Sequence, residues 1–221
     1  MHQGHLELNP VQFDRPGAWR DLFAAALTLT DHLATVVAKP TWSFGGGTVL
    51  MLRLNHRHSK DIDLFVPDPQ YLGHFSPRLT EAAENIATEY QEAAEYIKLL
   101  LPTGEIDVVV GTPLTQTPWE IVDFQGRRVC VETCAEIVAK KMWHRGNQAK
   151  ARDLFDLCAV VDLEPDAIDE ARPFMARHAQ TFLARLNDYR ELTREEFSKI
   201  DRIAYKRSFD ECMDLAQRVL K

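Results

Sequence analysis

Cysteine is scarce in this chain of 221 residues. Its four thiols, Cys130, Cys134, Cys158 and Cys212, show no disulfide-framework spacing. Cys130 and Cys134 are four apart, but no second Cys or His pair completes a zinc site. They read as buried free thiols in a reducing compartment. Long apolar runs are also missing, and none approaches the ~20 residues of a membrane span. The opening Met-His-Gln-Gly-His-Leu-Glu lacks the basic and apolar regions of a signal peptide. The expectation is a soluble, cytoplasmic protein with no membrane partner. Positive charge is in deficit: Lys plus Arg total 26 against 33 for Asp plus Glu, a net −7. Proteins that coat nucleic acid through bulk charge are usually basic, so that class is excluded, whereas a local basic groove is not. Repeats and low-complexity tracts are absent. The length suits one good core, with or without a helical appendage.

What is present divides into two halves. Pro16 can open a helix, and Leu22, Ala25, Ala26 and Leu29 keep helical spacing to about Val37, before Pro40 stops it. Residues 41–44 read as a short strand, Gly45-Gly46-Gly47 as a turn, and 48–54 as a short helix. Residues 61–66 alternate polar and apolar, as a strand does. The Ala- and Glu-rich stretch 76–95 predicts a helix. Residues 96–101 and 105–110 flank Pro102-Thr103-Gly104 as a hairpin, and 127–131 is a further strand. From Thr133 onward only helical patterns occur. Thr133 and Glu136 have capping-box spacing, and helices are expected over about 133–144, 151–161, 166–189 and 194–221. The expected fold is α+β: a small mixed sheet flanked by helices over residues 1–131, then a C-terminal helical bundle over 132–221 that completes a cleft.

The chemistry concentrates in Phe44-Gly45-Gly46-Gly47-Thr48-Val49-Leu50 and Ser59-Lys60-Asp61-Ile62-Asp63-Leu64-Phe65. Glycines between a strand and a helix let backbone N–H groups approach a phosphate, and the helix dipole adds to this. No Gly-Lys-Ser/Thr follows, so this is not a Walker A loop. Asp61 and Asp63 are two apart on a predicted strand and can share a face. Adjacent carboxylates repel unless a cation lies between them, and oxygen-rich sites suit Mg²⁺ or Mn²⁺. Asp107, between Ile106 and Val108, adds a third acid if its strand pairs beside 61–66. Three carboxylates opposite a glycine loop suit nucleotidyl transfer.

These two segments, with His56-Arg57-His58 between them, resemble the first motif of the AbiEii/AbiGii nucleotidyltransferase toxins, within the DNA-polymerase-β-like superfamily. The resemblance implies that Gly46, Gly47 and Thr48 hold phosphate and that Asp61 and Asp63 bind metal. Ser59 matches a serine that, in related systems, contacts phosphate or is modified by an antitoxin. Residues 136–145 and Lys150-Ala151-Arg152-Asp153-Leu154-Phe155-Asp156-Leu157 resemble the later motifs, a helical Lys followed by Arg-Asp-x-x-Asp-Leu. Asp156, with Asp153, is implied to support the site, and Arg152 joins the candidate phosphate-binding residues. The match covers about 44–66 and 105–157.

Helical geometry separates the two lysines of that motif. Lys141 lies four after Ile137 and three after Val138, on their buried stripe, where a charge needs an anion or ligand. Lys140 lies four after Glu136 and is expected to pair with it in solvent. Lys141 is therefore the candidate for the triphosphate. Arg152 and Asp156, four apart, also have the spacing of an ordinary helix pair. His56, His58 and Asp61 form a weaker candidate for a transition-metal site. Trp42, Trp119, Trp143 and Phe155 read as core or interface anchors.

The resulting expectation is a metal-dependent nucleotidyltransferase moving a nucleoside monophosphate from an NTP to a hydroxyl. The family resemblance extends to a tRNA 3′ end as acceptor and an antitoxin as partner. Alternatives are a small-molecule or protein acceptor, a catalytically silent binding half of a toxin–antitoxin complex, and a metal-dependent hydrolase. The charge distribution favours a polyanion site. Residues 32–60 and 137–152 contain no Asp or Glu, and together they carry nine Lys or Arg.

Overall fold

A computed structural model describes residues 8–221; the heptapeptide weighed against a signal peptide lies outside the described residues. Strands β1 (Ser43–Gly45), β2 (Ile62–Val66), β3 (Glu89–Ala93), β4 (Tyr96–Leu101), β5 (Gly104–Val110), β6 (Trp119–Phe124) and β7 (Arg127–Glu132) form one sheet, ordered β3-β4-β5-β2-β1-β7-β6. The sheet is mixed: β2 pairs β5 and β1 pairs β7 in parallel, and the other pairs are antiparallel. The α+β expectation holds. Alternation makes the central strands two-faced. Ile62, Leu64, Val66, Ile106 and Val108 are fully buried on one face, which leaves Asp63 and Asp107 on the other.

Helix α1 (Trp19–Val36) lies on the apolar side. It buries Trp19, Leu22, Phe23, Ala26, Leu29 and Leu33 at helical spacing, and Phe23 stacks on Phe44 of β1 at 4.4 Å between centroids. Helix α2 (Gly46–Leu54) follows β1 with no residue between them and is capped by Asn55 in the left-handed region. Beyond the sheet come α4 (Cys134–Arg145), α5 (Ala151–Leu163), α6 (Asp166–Met175), α7 (Ala179–Asp188), α8 (Arg190–Ser198) and α9 (Phe209–Leu220). No described helix is long and apolar enough to cross a membrane.

Four expectations change. The predicted helix over 76–95 is only α3 (Glu81–Glu84), followed by strand β3. Here tertiary pairing overrides Ala/Glu propensity, because the edge of β4 takes Glu89–Ala93 as a partner through a two-residue turn at Ala94-Glu95. Strand β6 was not expected. It pairs with β7 across Gln125-Gly126, both with positive φ, as primed hairpin turns require. The two long C-terminal helices each break in two, one near Ala176–His178 and the other between Ser198 and Ser208. The second break is used: Ile203 and Ala204 donate backbone hydrogen bonds to His56 and Asn55, and His58 donates to Asp201. The C-terminal region thus braces the segment leading into Asp61-Ile62-Asp63. Last, only half of the capping box at Thr133 forms. Its hydroxyl accepts from Glu136 N–H at 3.2 Å, but the Glu136 carboxylate turns to the Leu114 and Thr115 amides.

Phe155 sits at the centre of the helical half, edge-on to Phe197 and Tyr205 and facing His56. Phe155→Ala is expected to cost about 3–5 kcal/mol of unfolding free energy, measured as a fall in the urea midpoint at unchanged slope.

Candidate active site

The glycine loop is shaped by close approach. Gly46 has φ +73°, and a Cβ there would fall inside the Asp63 carboxylate. A Cβ on Gly45 would meet the Glu132 carboxylate. Gly47, at the start of α2, faces the Arg57 guanidinium and the Ser59 hydroxyl. Thr48 is fully buried. Its hydroxyl donates to the Asp61 carbonyl at 2.6 Å and lies 3.1 Å from the Ser59 hydroxyl, tying the loop to the incoming strand.

Strand register then sets a row across the sheet. Gly45 lies opposite Asp63, Asp63 opposite Asp107, and Asp107 opposite Lys98. Burial and the neighbouring Asp107 push the Asp63 carboxyl up to about 6, against the pull of Arg145 and Lys141. Burial raises Asp107 as well, opposed by Lys98. The Lys98 ammonium stands 2.8 Å from both Asp107 oxygens but has hydrogen-bond geometry only to Oδ2, leaving Oδ1 buried without a hydrogen-bond partner. Asp61 does not join the pair. It precedes β2, so the two-residue strand rule does not govern it, and its Oδ1 accepts from the Glu105 amide at 3.1 Å.

The opposite wall is built from α4, α5 and the segment before Ser59. Asp156 is fully buried and gathers three bases. Arg57 binds it through Nε at 2.6 Å and Nη2 at 2.8 Å, His56 Nε2 lies at 2.8 Å, and Lys141 Nζ at 2.5 Å. Burial would raise the Asp156 carboxyl, but Arg57 and Lys141 outweigh it and hold the group well below the usual carboxylate range. Arg145 and Lys141 both bind Asp153, at 2.7 and 3.1 Å. Two acids against Arg57, Lys141 and Arg145 leave this wall one positive charge in excess. Between the walls lies a cleft of about 540 Å³, lined by Gly46, Gly47, Asp61, Asp63, Asp107, Lys141, Arg145, Lys150 and Arg152 among others.

Several expected pairings are corrected. Lys140 is not in solvent. It is buried and binds Glu132 at 2.6 Å and Glu136 at 3.3 Å, with its ammonium 3.8 Å from the centre of the Phe65 ring. The first turns of α4 are covered on all sides, so no solvent face exists for it. Arg152 does not pair with Asp156, which points to the interior while Arg152 is exposed. His56 is committed to Asp156 and His58 is exposed, so the transition-metal grouping does not assemble. Among the described residues, no three His, Cys, Asp or Glu side chains are close enough to hold an ion together. The Asp63–Asp107 pair fits a divalent cation on other grounds: adjacent carboxylates, mutual repulsion, and an Asp107 oxygen with no partner.

Lys98 is a site residue that sequence reading missed, while Arg57 and Arg145 entered it only within the motifs and as charges of the acid-free stretches. Lys98 carried a signal, because hairpin pairing of Leu101 with Gly104 fixes Lys98 opposite Asp107. Nothing in the spacing of Arg57 pointed to Asp156, ninety-nine residues away.

The family described as nucleotidyl transferase AbiEii toxin, type IV TA system, matches residues 28–218. This chain belongs to the AbiEii family. It is a nucleotidyltransferase of a toxin–antitoxin system. The crystal structure of JHP933 from Helicobacter pylori is similar in fold, with a TM-score of 0.52, 14% identity and 93% of each chain covered. A second H. pylori structure, of a candidate nucleotidyltransferase, aligns with a TM-score of 0.49 at 14% identity, over 93% of this chain and 96% of that one. No curated protein matches.

This arrangement carries a stability cost with a defined sign. A folded carboxyl at about 6, against 3.8 unfolded, makes ionised Asp63 destabilising above pH 6, and the penalty fades as pH falls toward 4. Without divalent ions, Asp63→Asn should therefore raise unfolding free energy at pH 7.5 by about 2 kcal/mol. The gain should shrink to a small remainder at pH 4, read by denaturant titration at both pH values. Asp156→Ala should do the opposite at neutral pH, costing about 3–5 kcal/mol because Arg57 would be left buried without an acid and Lys141 with Asp153 alone.

Proposed function

We propose that the chain transfers a nucleoside monophosphate from an NTP to the terminal hydroxyl of an RNA, a tRNA 3′ end by family resemblance, with an antitoxin as its protein partner. The reading rests on the Asp63–Asp107 pair lying opposite a wall of excess positive charge across one cleft. The two acid-free stretches supply Arg57, Lys140, Lys141, Arg145, Lys150 and Arg152 to its lining, which suits a polyanion. The net charge of −7 opposes binding elsewhere on the surface.

The amides of Gly46 and Gly47 at the α2 N-terminus hold the triphosphate. Lys141, fixed by Asp153 and Asp156, binds it from the facing wall together with Arg145. Asp63 and Asp107 would hold the Mg²⁺ or Mn²⁺, with Asp61 bonded to the Glu105 amide nearby. When bound, that cation neutralises phosphate charge and lowers the pKa of the attacking hydroxyl. The hydroxyl oxygen bonds to the α-phosphorus, the bond to the bridging oxygen breaks, and pyrophosphate leaves. The hydroxyl proton passes to water in the cleft. Asp156 acts through Lys141 and Arg57 rather than on substrate, because it is fully buried. A silent binding module would not need the uncompensated Asp63.

Protein incubated with Mg²⁺, each α-labelled NTP and total tRNA should label RNA. Label on protein alone, or on no acceptor, overturns the reading. Asp63→Ala should abolish transfer. Gly46→Ala should lower it by roughly 10²-fold or more through the strained φ and the clash with Asp63.

A further inference from the structure

The row of register-matched groups does not end at Asp107. Glu105 and Asp107 are two apart on β5 and so share a face. Lys98 reaches them from β4, opposite Asp107. Its ammonium hydrogen-bonds to both carboxylates and stands 2.8 Å from each Asp107 oxygen. Lys98 and Asp107 side chains are 23% and 22% exposed, so the contact is only partly open to water. A lysine has three donors and no acceptor. It can therefore bridge two acids as a divalent ion would, but it adds one charge in place of two.

We propose that Lys98 is a built-in cation that occupies the outer side of the β5 acid pair, so that the nucleotide-free chain binds one divalent ion, at Asp63 and Asp107, and not a second at Glu105 and Asp107. This rests on the cation site of the proposed function. Only Oδ1 of Asp107 is without a hydrogen-bond partner, so one oxygen is left for an ion shared with Asp63. Oδ2 and the Glu105 carboxylate are already hydrogen-bonded to Lys98, which offsets one of the two negative charges. Lys98 is in this sense a positioning residue: it holds the Asp107 carboxylate in one orientation and sets how many ions the row accepts.

The test is an Mn²⁺ titration without nucleotide, following the paramagnetic resonance signal of free Mn²⁺ against each full-length variant. Circular dichroism melting confirms that each variant is folded. One ion per chain is expected for the wild type and for Lys98→Arg, which keeps the charge. Two are expected for Lys98→Met, and one again for Lys98→Met combined with Glu105→Gln, which removes the second acid. One ion in both wild type and Lys98→Met, or two in the wild type, overturns the role of Lys98 alone. Two in the double variant would show that the second ion does not use Glu105, and this too overturns it. No binding to the wild type overturns the cation site itself, and with it this inference.

Discussion

The buried carboxylate of Asp156 is the interaction on which the arrangement depends. It is fully shielded from water, yet it binds Arg57, His56 and Lys141. They come from two places: Arg57 and His56 from the segment entering β2, and Lys141 from helix α4 packed beside α5. An ion this deep is tolerated only with full compensation. The compensation therefore joins the sheet to the helices. The same bonds hold Lys141 over the cleft, and the residues at 201–204 clamp Asn55 to His58 from outside.

Opposite this satisfied cluster stands an unsatisfied one. Asp63 and Asp107 are forced side by side by five residue pairs of parallel register, with Gly46 pressed against Asp63. Nothing in the fold relieves their repulsion fully. One wall of the cleft thus has its charges balanced by protein groups, while the other waits on ligand charge. Proteins retain such local costs where function requires them. Glu132 repeats the pattern beneath the glycine loop. Burial raises its carboxyl to about 6 although Lys140 and Ser43 bind it, and it fills the space that a Cβ on Gly45 would need.

Much of this was legible beforehand. The alternation at 61–66, the hairpin around Pro102-Thr103-Gly104, and the glycine run before an apolar helix each follow from short-range rules. They correctly placed Asp63, Asp107 and the loop together. Other features were not legible because competing partners decide them. The 76–95 segment has helical composition but lies along a strand edge, and edge pairing won. The capping box at Thr133 was half right because Glu136 found amides distant in sequence. Lys140 and Lys141 are adjacent on one helix, and spacing assigned one to solvent, but α4 has no solvent face in its first turns.

The sequence alone determined which chemistry this chain carries: a glycine loop, closely spaced acids, a helical lysine pair and two stretches stripped of negative charge. Those are properties of local spacing. Only the tertiary structure decided which charges are spent and which are free. It spends Lys98 on Asp107 and Glu105, Lys140 on Glu132, and Arg57 on Asp156, and it leaves Asp61 turned aside from the carboxylate pair. The reason is physical. A charge inside a protein is satisfied by whatever the fold brings within about 3 Å, and strand register and helix packing set those neighbours, whether near in the chain, as Lys140 and Glu132 are, or far apart, as Arg57 and Asp156 are.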